Sequence, residues 1–150
     1  MSETSRQQHI AARKRARHYA TQAVYQWQMA GADCSQIEAE FMTDYDMSKV
    51  DEAFFRELLR GAVAQSEALE KTLSECIDRK VEELDVVELA LLKVGTFELK
   101  EKIDVPYKVV INEYVNLAKK FGASESHKYV NGVLDKLATS LRAVEVSQKS

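Results

Sequence analysis

The stretch DVVELALLKVGTFEL, residues 85–99, is a very apolar part of the chain and decides the fold class. If it is helical, its apolar side chains fall on more than one face, whereas a helix at a protein surface has a single apolar stripe. Asp85 stands directly before the apolar run, where a carboxylate can accept from the first free backbone N–H groups of a helix. We therefore expect a central helix that other helices surround.

The segments before this core helix carry apolar side chains at spacings of three and four residues. A first helix is expected over residues 12–29, ending near Gly31, and a short second helix over residues 35–45 after a possible Ser35 cap. Asp51 can cap the next segment, which has a broad apolar face and continues as one long or kinked helix pair. The pattern indicates helices throughout the first half of the chain.

Two more helices are expected after the core helix. Pro106 suits the first turn of a helix, where its fixed φ and missing N–H cost least. Gly122 is expected to end that helix in the left-handed conformation. Ser124 or Ser126 can then cap a last helix. The prediction is an all-α bundle of six or seven helices.

Composition supports a single folded domain. The 150 residues are 45% hydrophobic and 30% charged, and they include one Pro and five Gly, too few turn formers for a β-sandwich or barrel. We expect one helical domain over residues 12–140, between a flexible N-terminal tail (1–11) and a polar C-terminal tail (141–150). No apolar run reaches membrane-spanning length and the start is polar, so the expected location is the cytoplasm, without a membrane partner.

Charge is distributed unevenly along the chain. Residues 1–30 carry five basic and one acidic side chain, residues 31–104 carry nine and nineteen, and residues 105–150 carry seven and four. Both ends are therefore basic, while the middle is acidic. If the ends meet in the fold, one surface attracts phosphate and another attracts a basic protein.

A basic cluster in the first helix is the strongest local feature of the sequence. Arg13, Lys14, Arg15 and Arg17 stand close together, and Arg13 and Arg17 share a helix face. At a helix N-terminus, cations are disfavoured unless an anion binds there, and guanidinium groups hold phosphates well. The cluster indicates either nucleic-acid contact or a solvated charged helix end.

Aromatic and acidic side chains extend the list of candidates. Tyr25 lies at the edge of the first apolar stripe, and Lys128 and Tyr129 open the last helix. Each tyrosine is either a base-stacking residue or a residue at the boundary of the core. Three acidic residues near the start of the core helix either stabilise that helix or dock a basic protein: Glu82, Glu83 and Glu88.

Catalysis and metal binding have little support. The three histidines are scattered, and the sequence has no GxSxG, HExxH, GxGxxG or Walker motif. Cys34 and Cys76 stand far apart, without a CxxC pair that would indicate a metal site. We expect no catalytic residue, no cofactor, no metal and no small-molecule substrate.

Four segments together resemble the NusB family of bacterial transcription antitermination factors. These segments are ARKRARHYATQAVYQWQ (12–28), FFRELLRGAV (54–63), DVPYKVVINEYVNLAKKFG (104–122) and SHKYVNGVLDKLA (126–138). The resemblance covers nearly the whole chain. It implies an all-α fold of two packed helical subdomains and a non-catalytic RNA-binding adaptor.

The resemblance also implies partners and site residues. A NusB-like protein pairs with NusE, a small-subunit ribosomal protein, to capture boxA leader RNA within an RNA polymerase antitermination complex. By position, the basic cluster becomes the arginine-rich RNA motif, and Tyr25 becomes the aromatic of the first helix. Tyr129 stands where the family often has Phe at an RNA contact, Glu88 near the junction of NusE and RNA, and Glu125 close to the RNA.

Two alternatives stay open at the level of sequence. One is a non-catalytic relative of the NusB-like domain of RNA methyltransferases, because the 150 residues contain no nucleotide-binding glycine motif. The other is a structural bundle whose basic cluster contacts only water. On the RNA-binding hypothesis, replacing Arg13, Arg15 and Arg17 with Ala is expected to remove binding and leave stability unchanged or slightly raised.

Overall fold

The computed structural model describes residues 2–149, and of Lys149 only the backbone. Within that range there are eight α-helices, a single 3₁₀ turn (Val81–Glu83) and no strand. The helices are α1 (Glu3–Ala30), α2 (Cys34–Asp44), α3 (Glu52–Ala64), α4 (Ser66–Ser74), α5 (Val86–Glu101), α6 (Tyr107–Phe121), α7 (Ser126–Leu141) and α8 (Ala143–Lys149). The all-α prediction is confirmed, with more helices than the six or seven expected.

Helix α5 is the centre of the fold, as the apolar run predicts. It contacts α1, α3, α4, α6 and α7. All ten of its residues from 90 to 99 are buried. Helices α1, α2 and α3 pack on one another, α6 and α7 do the same, and α5 joins the two groups. Burying a leucine side chain contributes about 1.5–3 kcal/mol, so this helix is a major source of stability.

Helix α1 begins earlier than predicted. Residues 3–11, expected to belong to a flexible tail, form its first turns. Ser2 caps the helix by accepting from the backbone N–H of Ser5 at 3.1 Å, and Glu3 lies in the first turn, where the helix dipole favours an acidic side chain. These turns could not be predicted from hydrophobic periodicity, because residues 2–10 are exposed and carry no apolar stripe.

The C-terminal tail is also more ordered than predicted. Residues 143–149 form α8, and Arg142 before it is buried. The Arg142 guanidinium donates to three backbone carbonyl oxygens: those of Leu99, Lys102 and Val105, at 2.6, 2.9 and 2.9 Å. The last carbonyls of a helix lack partners within the helix, so Arg142 satisfies the Leu99 carbonyl near the end of α5 and also binds two carbonyls of the loop that follows.

Two of the predicted helix caps are confirmed and two are wrong. Asp51 accepts from the backbone N–H of Phe54 at 3.0 Å, and Asp85 accepts from that of Val87 at 3.0 Å. Helix α2 is capped by Asp33, which accepts from the N–H of Ser35 at 2.9 Å, so Ser35 is not the cap. No Ser124 or Ser126 side chain caps α7.

The two glycines that end helices do so differently. Gly31 has φ 65°, the left-handed conformation that glycine adopts without strain. Gly122 was expected to do the same, but its φ is −89° and its backbone is extended. A Cβ at Gly122 would lie 2.7 Å from the Cβ of Ser126, so a close approach to α7 explains the missing side chain.

Among the described residues, no helix has both the length and the apolar character needed to cross a membrane.

Candidate nucleic-acid interface

The basic cluster of α1 lies well inside that helix. Residues 13–17 are about three to four turns away from the start at Glu3, whereas the helix dipole acts mainly on the first turn. The expectation that these cations oppose the dipole is therefore wrong. Their role depends on which of them face solvent.

Arg17 faces the protein interior, which corrects its predicted contact with RNA. Its side chain is 4% exposed, and its Nε and Nη2 atoms lie 2.9 and 2.7 Å from the two carboxylate oxygens of Glu98 on α5. The hydroxyl of Tyr114 donates to the same carboxylate at 2.8 Å, and burial, with the charge of Glu98, raises the pKa of Tyr114. Arg17 is part of a buried polar network that joins α1, α5 and α6.

Arg13 is partly buried at the boundary between the interior and the surface. Its guanidinium carbon lies 4.2 Å from the centroid of the Phe54 ring, and its Nε lies 3.6 Å from a carboxylate oxygen of Asp51. The side chain is 23% exposed. A cation over an aromatic face is stabilised by the ring quadrupole. Arg13 is therefore only partly available to a ligand.

Lys14 and Arg15 are exposed and line one wall of a groove between α1 and α6. Arg15 donates to the backbone carbonyl of Lys49 at 3.2 Å, and Lys14 forms an ion pair with Glu113 at 2.6 Å. The groove is lined by Lys14, Arg15, His18 and Tyr19 from α1 and by Glu113, Asn116, Leu117, Lys119 and Lys120 from α6. We call this feature the α1–α6 groove.

Lys119 and Lys120 are functional candidates in the groove that were not predicted from the sequence. Both are exposed, and neither forms an ion pair with another residue in the part of the chain that the structure describes. The two lysines of LAKKFG stand in the last turn of a helix, where cations interact favourably with the helix dipole. The local sequence therefore indicates only helix stabilisation and does not distinguish these lysines as RNA contacts. In the fold, the α1–α6 groove brings together four lysine and arginine side chains and a single carboxylate.

His18 lies in the same groove and responds to its charge. Its ring contacts that of Phe121, with 4.8 Å between centroids. Burial, and then the charge of Lys120, lower the pKa of His18 below its ordinary value. Both effects favour the neutral imidazole, and an anion in the groove would favour its protonation.

Tyr25 continues the same side of α1. It follows Lys14 by eleven residues, which rotates it by only about 20° and moves it about 16 Å along the helix axis. Tyr25 is half-buried and packs against the core. The structure thus places Tyr25 on the face of α1 that carries Lys14.

A second cluster lies at the start of α7. The Ser126 hydroxyl donates to Glu88 at 2.7 Å, and the guanidinium carbon of Arg79 lies 4.7 Å from the centroid of the Tyr129 ring. Lys128 is exposed and pairs with Glu125 at 2.9 Å. Predicted residues from distant parts of the sequence are therefore brought together, and Arg79 joins them without having been predicted.

The three acidic residues predicted to bind a partner differ in whether they already have a contact within the protein. Glu88 is partly buried and bound to Ser126, whereas Glu82 and Glu83 are exposed on the 3₁₀ turn. Neither Glu82 nor Glu83 has an ion-pair partner among residues 2–149. The two free carboxylates form what we call the acidic turn. No group of three or more His, Cys, Asp or Glu suited to a metal occurs in the described part of the chain.

The fold and the groove define a class: a small all-α protein that presents a cationic groove at its surface. Residues 14–139 match the sequence profile of the NusB family. The chain belongs to the NusB family of transcription antitermination proteins. Its curated relatives are named as antitermination proteins, a non-catalytic class, which confirms the prediction that the chain is not an enzyme.

Individual relatives agree over most of the chain. The transcription antitermination protein NusB of Teredinibacter turnerae is 61% identical over 90% of this chain and 92% of its own length. That of Alcanivorax borkumensis is 55% identical over 93% of both chains. The solved structure of T. maritima NusB is 27% identical, with a TM-score of 0.79 over 89% of this chain and 96% of that chain.

A more distant structure supports the same fold. The crystal structure of the antitermination factors NusB and NusE in complex with double-stranded RNA is 23% identical to this chain, with a TM-score of 0.73 over 85% of this chain and 96% of that chain. These neighbours confirm the predicted fold class.

Proposed function

We propose that the chain binds single-stranded boxA-type leader RNA together with NusE. The assembly would promote terminator read-through by cytoplasmic RNA polymerase, notably in ribosomal RNA operons. The observation that carries the RNA part is the α1–α6 groove, where Lys14, Arg15, Lys119 and Lys120 surround one carboxylate. A cationic groove of this kind follows the phosphates of a single strand.

The candidate RNA contacts of α1 extend along the helix, which fits an extended single strand better than a single phosphate. Lys14 and His18 line the groove, and Tyr25 lies further along the same helix face. Phosphates in the groove would leave the next bases close to an aromatic ring, and base stacking on aromatic side chains tolerates any sequence. Sequence selection therefore requires further contacts, from the Tyr129 cluster and from the partner.

The acidic turn supports the second half of the proposal. Glu82 and Glu83 are exposed, and the middle of the chain carries nineteen acidic and nine basic residues. Opposite charges on two proteins steer their encounter and fix its orientation. The turn follows Arg79, which contacts Tyr129, so a basic partner docked there would lie beside the second cluster. One solved neighbour contains NusB, NusE and RNA in a single complex.

A titration tests the proposal. A labelled boxA RNA, a scrambled RNA of the same length and a boxA duplex are titrated with the protein, alone and with NusE, and anisotropy is measured. We expect the boxA strand to bind more tightly than the scrambled strand and NusE to widen that difference. Equal affinity for both strands, with and without NusE, would contradict sequence-specific binding.

A further inference from the structure

The Tyr129 ring is not an open stacking surface. It packs against the core, its hydroxyl is buried without a hydrogen-bond partner among the described residues, and Arg79 covers one face with its guanidinium carbon 4.7 Å from the ring centroid. An RNA base that approached this face would meet Arg79 first. The aromatic that the sequence nominates as a stacking residue is therefore covered.

Arg79 itself has the features of a stacking residue. Its side chain is 42% exposed, and its Nε donates to Asp78 at 2.9 Å, which limits how the guanidinium can turn. The two terminal nitrogens have no acceptor within residues 2–149. A guanidinium is planar and weakly hydrated, so it can lie between an aromatic ring and a base, while its free N–H groups stay available to an acceptor that lies in the guanidinium plane.

The charge around Arg79 separates this site from the groove. Asp78 pairs with Arg79 and Glu125 pairs with Lys128, so nearby carboxylates balance these cations. A balanced site adds little long-range attraction to RNA. The contribution of Arg79 to RNA affinity should therefore be lost when the stacked base is removed. It should change little with the salt concentration.

We propose that Arg79 is the base-stacking residue of the second cluster and that Tyr129 positions it. In this arrangement one unpaired RNA base stacks on the outer face of the Arg79 guanidinium, while the Tyr129 ring supports the inner face. This inference rests on the proposed RNA-binding function. It assigns a role to a residue that sequence analysis did not select, and it makes Tyr129 an indirect contributor.

The test combines protein variants with abasic RNA. Each base of the boxA strand is replaced in turn by an abasic ribose, and every strand is titrated with wild-type protein, Arg79→Lys, Tyr129→Phe and Tyr129→Leu. Arg79→Lys keeps the positive charge but removes the planar guanidinium. Arg60→Lys is the matched control, because Arg60 is an exposed arginine on α3 that also pairs with a carboxylate, that of Glu38.

We expect Arg79→Lys to weaken binding of the intact strand roughly tenfold, the scale of one lost stacking contact. At one abasic position, the affinity of the wild-type protein should fall by a similar factor relative to the intact strand. The same abasic position should not weaken binding by Arg79→Lys any further. Tyr129→Phe should bind like wild type, Tyr129→Leu should resemble Arg79→Lys, and Arg60→Lys should have no effect. Thermal melts establish that each variant is folded.

The outcomes separate the inference from the proposed function. If wild-type protein binds RNA but Arg79→Lys retains full affinity, or if every abasic penalty persists in Arg79→Lys, Arg79 does not stack on a base and the inference is wrong. If wild-type protein binds no RNA at all, the proposed function and the inference fail together.

Discussion

The guanidinium of Arg17 lies within 2.9 Å of both carboxylate oxygens of Glu98, and both side chains are buried. The contact joins α1 to α5 across 81 positions of sequence. A residue that belongs by sequence to a surface RNA motif is therefore part of the interior. This relationship changes how variants of the basic cluster should be interpreted.

Arg17→Ala should destabilise the fold. Removing one partner of a buried ion pair leaves the other charge without compensation, which costs about 3–5 kcal/mol. We expect the free energy of unfolding, measured by urea denaturation, to fall by that amount. Arg15→Ala is the matched control and should change it by less than about 0.5 kcal/mol, because Arg15 is exposed.

The triple variant of Arg13, Arg15 and Arg17 should lose stability, contrary to the expectation from sequence, because it lacks the buried partner of Glu98. Loss of RNA binding by that protein would reflect unfolding as well as lost contacts, so the double variant of Lys14 and Arg15 is the informative one. Wild-type stability for Arg17→Ala would show that the buried pair contributes no net stability.

His18 should make stability and RNA binding depend on pH in opposite directions. Because burial and Lys120 lower the pKa of His18, the unfolded chain binds this proton more readily than the folded one. The contribution of His18 to stability is therefore present above its ordinary pKa and declines as the pH falls below it. RNA phosphates favour the imidazolium, so affinity should rise over the same interval.

Urea denaturation and RNA titration between about pH 7.5 and pH 5.5 check both trends, since this interval spans the ordinary pKa of histidine. His18→Gln should flatten both, while His9→Gln, at an exposed position outside the α1–α6 groove, should leave them in place. An unchanged pH dependence in His18→Gln would assign the effect to another group.

Neutralising the acidic turn should weaken the binding of NusE and leave the binding of RNA unchanged. Glu82→Gln with Glu83→Gln should lower the association rate with NusE severalfold at low salt, because long-range attraction mainly accelerates encounter. The matched control is Glu67→Gln with Glu75→Gln, an equal charge change at exposed positions. Surface plasmon resonance at two salt concentrations measures the rates, and equal rates for both double variants would exclude the acidic turn as the docking surface.

The features that could be predicted from sequence are those with local causes. The apolar run from 85 to 99 identified the central helix, and Asp51 and Asp85 stand directly before the helices that they cap. A cap or an apolar stripe depends on residues only a few positions apart. The exposed first turns of α1 and the conformation of Gly122 were not predicted, because the former lacks a stripe and the latter depends on contact with Ser126.

The features that could not be predicted depend on packing between distant segments. The partner of Arg17 is on another helix, so its sequence neighbours Arg15 and Lys14 suggested a surface position. Lys119 and Lys120 join the α1–α6 groove only because α6 packs beside α1. Arg79 meets Tyr129 for the same kind of reason. Sequence patterns identified the basic segment of α1 and did not resolve which of its side chains are exposed.

The most direct test of the α1–α6 groove is the salt dependence of RNA affinity in wild-type protein and in Lys119→Gln with Lys120→Gln. If the four cations of the groove each neutralise a phosphate, the logarithmic slope for a single strand is roughly −3 in wild type and about 1.4 units shallower in the double variant. Lys71→Gln with Lys100→Gln, at exposed positions outside the groove, should keep the wild-type slope. Equal slopes for the wild type and for both double variants would contradict RNA binding in the α1–α6 groove.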